Sequence, residues 1–267
     1  MKIKIRILAI LLAALILFGG TSTLAAQTAE TAPAQAEAAH TAYLFGDNHG
    51  NFRPNAIITR AEVAAILART HIPNFNPNQL PPGMTTFDTF PYDVHPGQWW
   101  YNYIAWAYHA ELIIGSQITP EFPIRRYRPQ DPITRRELAT ILVRASGHEV
   151  LQPSLAATQI PDLYPDGAWA VNYIYTAWHH GLLQGDHHGN MRPLANITRA
   201  EVAVAINRLT GRLSDTPANQ VTIQNQTQAR TFPDVASNTW YTLPVLIATN
   251  NHTVRQSGTT AIVRILP

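Results

Sequence analysis

The pentapeptide Ile-Thr-Arg-x-Glu occurs three times, at residues 58–62, 133–137 and 197–201. Recurrence of this kind implies copies of one small unit that bury their apolar faces against one another. Each copy has the form of a helix start. Thr followed three positions later by Glu is a capping box, in which the hydroxyl accepts from the N3 amide and the carboxylate reaches back to the N-cap amide. The pairs are Thr59 with Glu62, Thr134 with Glu137, and Thr198 with Glu201. Apolar residues follow at helical spacing: Val63, Ile66 and Leu67; Leu138, Ile141 and Leu142; Val202, Ala205 and Ile206. Such a stripe faces a core.

Each motif closes a longer pattern. Residues 46–54 read GDNHGNFRP, residues 185–193 read GDHHGNMRP, and a looser copy runs from Gly115 to Tyr127-Arg128-Pro129 with PEFPIRR inserted. A second pattern also recurs. It has Pro91 and Asp93 before Trp99, Pro161 and Asp162 before Trp169, and Pro233 and Asp234 before Trp240. After each Trp, Ile104, Ile174 and Val245 stand five positions on, and Ala107, Ala177 and Ala248 eight, which fits a helix. The expected order is therefore a second half (41–71), full repeats at 87–147 and 159–212, and a closing first half (231–255). The closing half is expected to pack against 41–71 and complete a third lobe. Residues 71–86 and 213–230, rich in Pro, Asn or other polar residues, read as exposed connections.

Capping and packing account for Ile, Thr and Glu of the motif. The arginine is different. Arg60, Arg135 and Arg199 fall at N1, where the helix dipole disfavours a cation by roughly 0.3–1 kcal/mol. A planar guanidinium beside helix N-terminal amides would suit a carboxylate or phosphate. Three such places in one chain suggest a polymeric ligand with repeated acidic groups. The competing account pairs each arginine with an aspartate of a neighbouring repeat, such as Asp93 or Asp162.

The amino terminus reads as a leader. Lys2, Lys4 and Arg6 precede an apolar run over 7–18 and small residues over 19–26, the layout of a secretory signal peptide. Residues 1–26 are expected to be removed, with 27–40 a flexible spacer and no membrane span left afterwards. The remaining chain has 16 basic and 17 acidic groups and no lysine, which argues against nucleic-acid binding. The chain has no cysteine, so a lipoprotein anchor, disulfides and thiolate metal sites are excluded. Hydrophobic residues make up 46% of its 267 positions, enough for packing to hold it together.

Other constellations are weaker. His179-His180 and His187-His188 lack metal-ligand spacing, and no metal or cofactor is expected. The loops at 46–50 and 185–189 lack the carboxylates of a calcium loop and read as turns. Trp99, Trp169 and Trp240 head equivalent helices; they suit core packing or stacking on an apolar sugar face. No nucleophile elbow, His-Glu-x-x-His helix or phosphate-cradling loop occurs.

Taken in order, these anchors resemble the S-layer homology family, from about residue 41 to 255. The family's features are the aromatic-Pro-Asp-Val start, the Trp-led helix, the Gly-Ile-x-Gly turn, the Phe-x-Pro step and Ile-Thr-Arg-Ala-Glu. The resemblance implies an all-α, pseudo-threefold domain of three lobes. It also implies non-catalytic binding of secondary wall polysaccharide or peptidoglycan-linked glycan at a bacterial cell surface, with Arg60, Arg135 and Arg199 on acidic or pyruvylated sugars. A wall hydrolase, or a structural or regulatory protein-binding module on the same fold, are the alternatives. The central copy departs from the pattern: Arg136 stands where the others have Ala61 and Ala200, and the insertion adds Arg125 and Arg126.

Overall fold

The computed structural model describes residues 37–80, 84, 90–116, 124–154, 159–163, 168–212, 218–257 and 260–267. The expected signal peptide, most of the spacer, and parts of both connections and of the insertion lie outside the described residues. The described residues form six α-helices: α1 (Arg60–His71), α2 (Tyr101–His109), α3 (Arg135–Ser146), α4 (Val171–His179), α5 (Arg199–Leu209) and α6 (Thr242–Thr249). The three motif helices α1, α3 and α5 all start with the expected capping box. Pro244 falls in the first turn of α6, where its missing amide costs nothing.

Helices pack in consecutive pairs, α1 on α2, α3 on α4 and α5 on α6. Each lobe therefore joins the second half of one unit to the first half of the next. The three motifs meet at the centre. Ile58 donates its amide to the Ile197 carbonyl, Ile197 to Ile133, and Ile133 to Ile58, at 3.1–3.2 Å. All three side chains are fully buried. This closed triangle sets the pseudo-threefold axis.

A second set of bonds joins the two halves of each unit. Both oxygens of Asp93 accept backbone amides of Tyr127 and Arg128, and Asp162 does the same for Met191 and Arg192. Asp234 takes the amides of Phe52 and Arg53 at 2.9 and 2.6 Å. The Phe52 and Phe232 rings meet at 5.6 Å, and Tyr43 and Leu44 donate to the Ala248 carbonyl. Residues 231–255 thus touch 41–71 through the same aspartate contact the internal units use, while α6 itself lies on α5.

The all-α expectation is corrected. Strands β1 (Ala38–His40), β2 (Val221–Gln224), β3 (His252–Ser257) and β4 (Thr260–Ile265) form one mixed sheet in the order β1-β3-β4-β2. β1 falls in the expected spacer and β2 in the expected connection, while β3 begins inside the closing half and β4 lies beyond it. The cause lies in α6, which is apolar all round and needs cover on two sides. Val245 and Ala248 enter the main core, while Ile247 packs with Val254, Val263 and Ile265 of the sheet. Ala261, Val263 and Ile265 alternate inward along β4, as a half-buried strand requires.

Candidate functional site

The three N1 arginines are buried, with exposures of 8% for Arg60, 3% for Arg135 and 9% for Arg199. Each reaches into the next copy. Arg60 donates Nε to the Tyr127 carbonyl and Nη1 to Glu137. Arg135 donates Nε to the Met191 carbonyl at 2.6 Å, Nη1 to Glu201 at 2.9 Å and Nη2 to the Gln184 carbonyl at 2.7 Å. Arg199 donates to the Phe52 and Phe45 carbonyls, both at 2.8 Å, and pairs with Glu62 at 3.5 Å. First copy binds second, second binds third, and third binds first. The guanidiniums of Arg60 and Arg199 also lie over the Tyr127 and Phe52 rings, at 4.7 and 4.9 Å.

The argument from an unanswered charge at N1 is therefore corrected. The partner is the motif glutamate of the next copy, neither a free anion nor Asp93 or Asp162. The helix amides are occupied as well. Arg60 N–H donates to the Asp131 carbonyl, Arg135 to Ala195 and Arg199 to Ala56; the N2 amides donate to Pro129, Pro193 and Pro54. Each glutamate divides its oxygens. In Glu137, Oε2 accepts from the Thr134 amide and hydroxyl while Oε1 takes Arg60. Burial opposes its charge, but Arg60 and the Thr134 bonds outweigh burial and hold the carboxyl below its ordinary value.

Trp99, Trp169 and Trp240 are 52%, 55% and 62% exposed. The packing alternative thus fails for these three, whereas Trp100 and Trp106 are buried. Trp169 stands at the rim of a cavity of about 460 Å³ between lobes, lined by Arg60, Arg125, Arg128, Arg136, Arg144 and Glu137 among others. Arg136 lies over the Trp169 ring at 5.6 Å and Arg144 over Tyr173 at 5.5 Å. Trp240 borders a larger groove of about 840 Å³ between α5, α6 and β2.

Arg53, Arg128 and Arg192, which the repeat pattern contains without assigning them a role, stand out in the structure. Each precedes a proline yet has a positive φ, of 56°, 58° and 49°. A bulky residue there is strained, and such strain collects at functional positions. The aspartate clamps from Asp234, Asp93 and Asp162 hold the turn in place. The side chains stay about half exposed, and that of Arg128 lines the central cavity. The signal was present as an x-Arg-Pro step in all copies.

Known proteins share this pattern. The S-layer homology domain model matches residues 36–64, 92–139 and 159–203. A cellulosome-anchoring protein of Acetivibrio thermocellus is 30% identical over 203 residues, 75% of this chain and 40% of its own length. A surface-layer 125 kDa protein of Lysinibacillus sphaericus is 30% identical over 176 residues, 64% of this chain and 13% of that protein. An amylopullulanase of Thermoanaerobacterium thermosulfurigenes is 31% identical over 159 residues, 58% of this chain and 8% of the enzyme. The chain thus spans two fifths or less of these relatives. Among the described residues no helix is long and apolar enough to cross a membrane. Repeats of this type are typical of cell-surface anchoring. The chain carries three repeats of the S-layer homology family.

Proposed function

We propose that the protein is a non-catalytic anchor that holds an acidic glycan of the bacterial wall in the grooves between its lobes. The carrying observation is the basic groove with an exposed tryptophan at its rim: five arginines, one glutamate and Trp169. Trp99, Trp169 and Trp240 supply stacking faces for sugar rings. Arg60, fixed by Glu137, lines the central groove, with Arg135 and Arg199 in the equivalent places of the other copies, and the exposed Arg53, Arg128 and Arg192 supply the accessible forks. Residues 231–255 serve as the first half of the unit that opens at 41–71.

One feature favours binding over hydrolysis. Glycoside hydrolysis needs a pair of available carboxyl groups. Here the recurring acids are committed, Asp93, Asp162 and Asp234 to backbone amides and Glu62, Glu137 and Glu201 to caps and arginines. The test is sedimentation with purified wall sacculi, intact and stripped chemically of polysaccharide. Binding to intact sacculi alone, without release of reducing ends or peptides, is expected. Undiminished binding to stripped sacculi would instead favour a peptidoglycan or protein partner.

A further inference from the structure

The three motif helices present unequal stripes to the grooves. Positions N2, N6 and N10 are Ala61, Ala65 and Arg69 in α1, and Ala200, Val204 and Arg208 in α5. In α3 they are Arg136, Thr140 and Arg144, all of which line the central groove. Arg136 and Arg144 are two turns apart, about 12 Å along the helix axis. The turn opposite differs too. Asp47 pairs with Arg53 at 3.2 Å, and Asp186 approaches Arg192 at 3.8 Å, so both outer grooves answer their x-Arg-Pro cation with an acid. The equivalent central position is Ser116, and among the described residues Arg128 pairs only with the exposed Asp131, at 3.7 Å. Arg125, from the insertion, adds a guanidinium pinned to the Ile114 and Ser116 carbonyls. The Nε atoms of Arg125 and Arg136 are buried there without a hydrogen-bond partner among the described residues.

We infer that the grooves are unequal and that the central one, between α3 and Trp169, is the principal site, taking a run of glycan with more than one acidic group. This rests on the glycan-binding reading above. Three local changes raise its positive charge together: Arg136 for alanine, Ser116 for aspartate, and the added Arg125. Like charges held this close in a partly enclosed space repel one another, and an anionic ligand relieves that repulsion. Arg136 and Arg144 lie over different rings, Trp169 and Tyr173, so each guanidinium can meet its own acidic group along a run of sugars. The stack of Arg136 on Trp169 fixes the cation beside the ring that would hold the sugar. Arg136 is thereby a specificity-determining residue, and the outer grooves contribute secondary contacts.

The test measures affinity of the full chain for sacculi of its own organism, for wild type and for Trp99→Ala, Trp169→Ala, Trp240→Ala and Arg136→Ala. All four changes are at residues outside the closed core, and Arg136→Ala installs the residue of the outer copies, so melting temperatures should match wild type. Trp169→Ala and Arg136→Ala are expected to weaken binding about tenfold, and Trp99→Ala and Trp240→Ala by less than about threefold. Added salt should shrink the loss from Arg136→Ala but not that from Trp169→Ala. Equal losses at all three tryptophans, or losses confined to Trp99 or Trp240, would overturn the central-groove inference and leave the groove reading standing. Unchanged binding in every variant would overturn both.

Discussion

Glu137 serves two partners at once: it caps its own helix through Thr134 and receives Arg60 from 77 residues earlier in the chain. The motif therefore has two ends. Its glutamate starts a helix and its arginine fastens that helix to the next copy, so three motifs close a ring. Within this ring the N1 arginine is as structural as the cap.

The ring predicts a rank order of stability losses. Glu201 holds Arg135 and Arg192, both at 2.9 Å, and caps α5. Glu62 holds Arg199 only at 3.5 Å and is more exposed. Glu201→Ala should cost about 3–5 kcal/mol, because it leaves Arg135 buried and unpaired. Glu62→Ala should cost about 1–2 kcal/mol, chiefly the lost cap. Urea denaturation checks this, and equal losses would contradict the ring as drawn.

Closure of the chain's ends makes a second prediction. Asp234→Ala should destabilise by about 1–3 kcal/mol, as a lost acceptor for two amides does, and by as much as Asp93→Ala or Asp162→Ala. Deletion of 231–267 should lower the melting temperature further, since it also uncovers α5. Unchanged melting of either variant would show that the first unit stands without its distant half.

Stability should depend on pH through the sheet. His40 and His252 face each other across β1 and β3, with rings 5.2 Å apart and their Nε2 atoms buried and unpartnered among the described residues. Burial, then the nearby Arg212, hold His40 at about 4; burial, partly offset by a bond to the Asn250 carbonyl, holds His252 at about 4, again with Arg212 contributing. Unfolded histidine takes its proton near 6.5. Between those values the unfolded chain binds more protons, so acid favours unfolding. Melting temperature should be flat above about pH 6.5 and fall as the pH drops toward 4. Replacing both histidines by glutamine should flatten that slope; a slope unchanged in the double variant would contradict the assignment.

The repeats and the caps were legible because both are local. Thr and Glu three residues apart announce a helix start whatever lies around them. The arginine's partner was not legible, because Glu137, Glu201 and Glu62 come together with it only through the fold. The charge rule for helix termini was sound but lacked the carbonyls of the next copy. The exposure of Trp99, Trp169 and Trp240 could not be read either, since spacing puts a residue on a helix without saying which side is covered. The sheet was legible in principle, because Ala261, Val263 and Ile265 alternate strictly, but its four strands are scattered over 38–265 and meet only through the fold.

The central claim is that the three exposed tryptophans hold the wall glycan. Its most direct test is sacculus sedimentation of the Trp99→Ala/Trp169→Ala/Trp240→Ala variant. Alanine in place of the three N1 arginines would break the ring and confuse unfolding with lost binding, whereas these side chains are more than half exposed. The account predicts an unchanged melting temperature with the variant left in the supernatant. Retention on sacculi equal to wild type would contradict it.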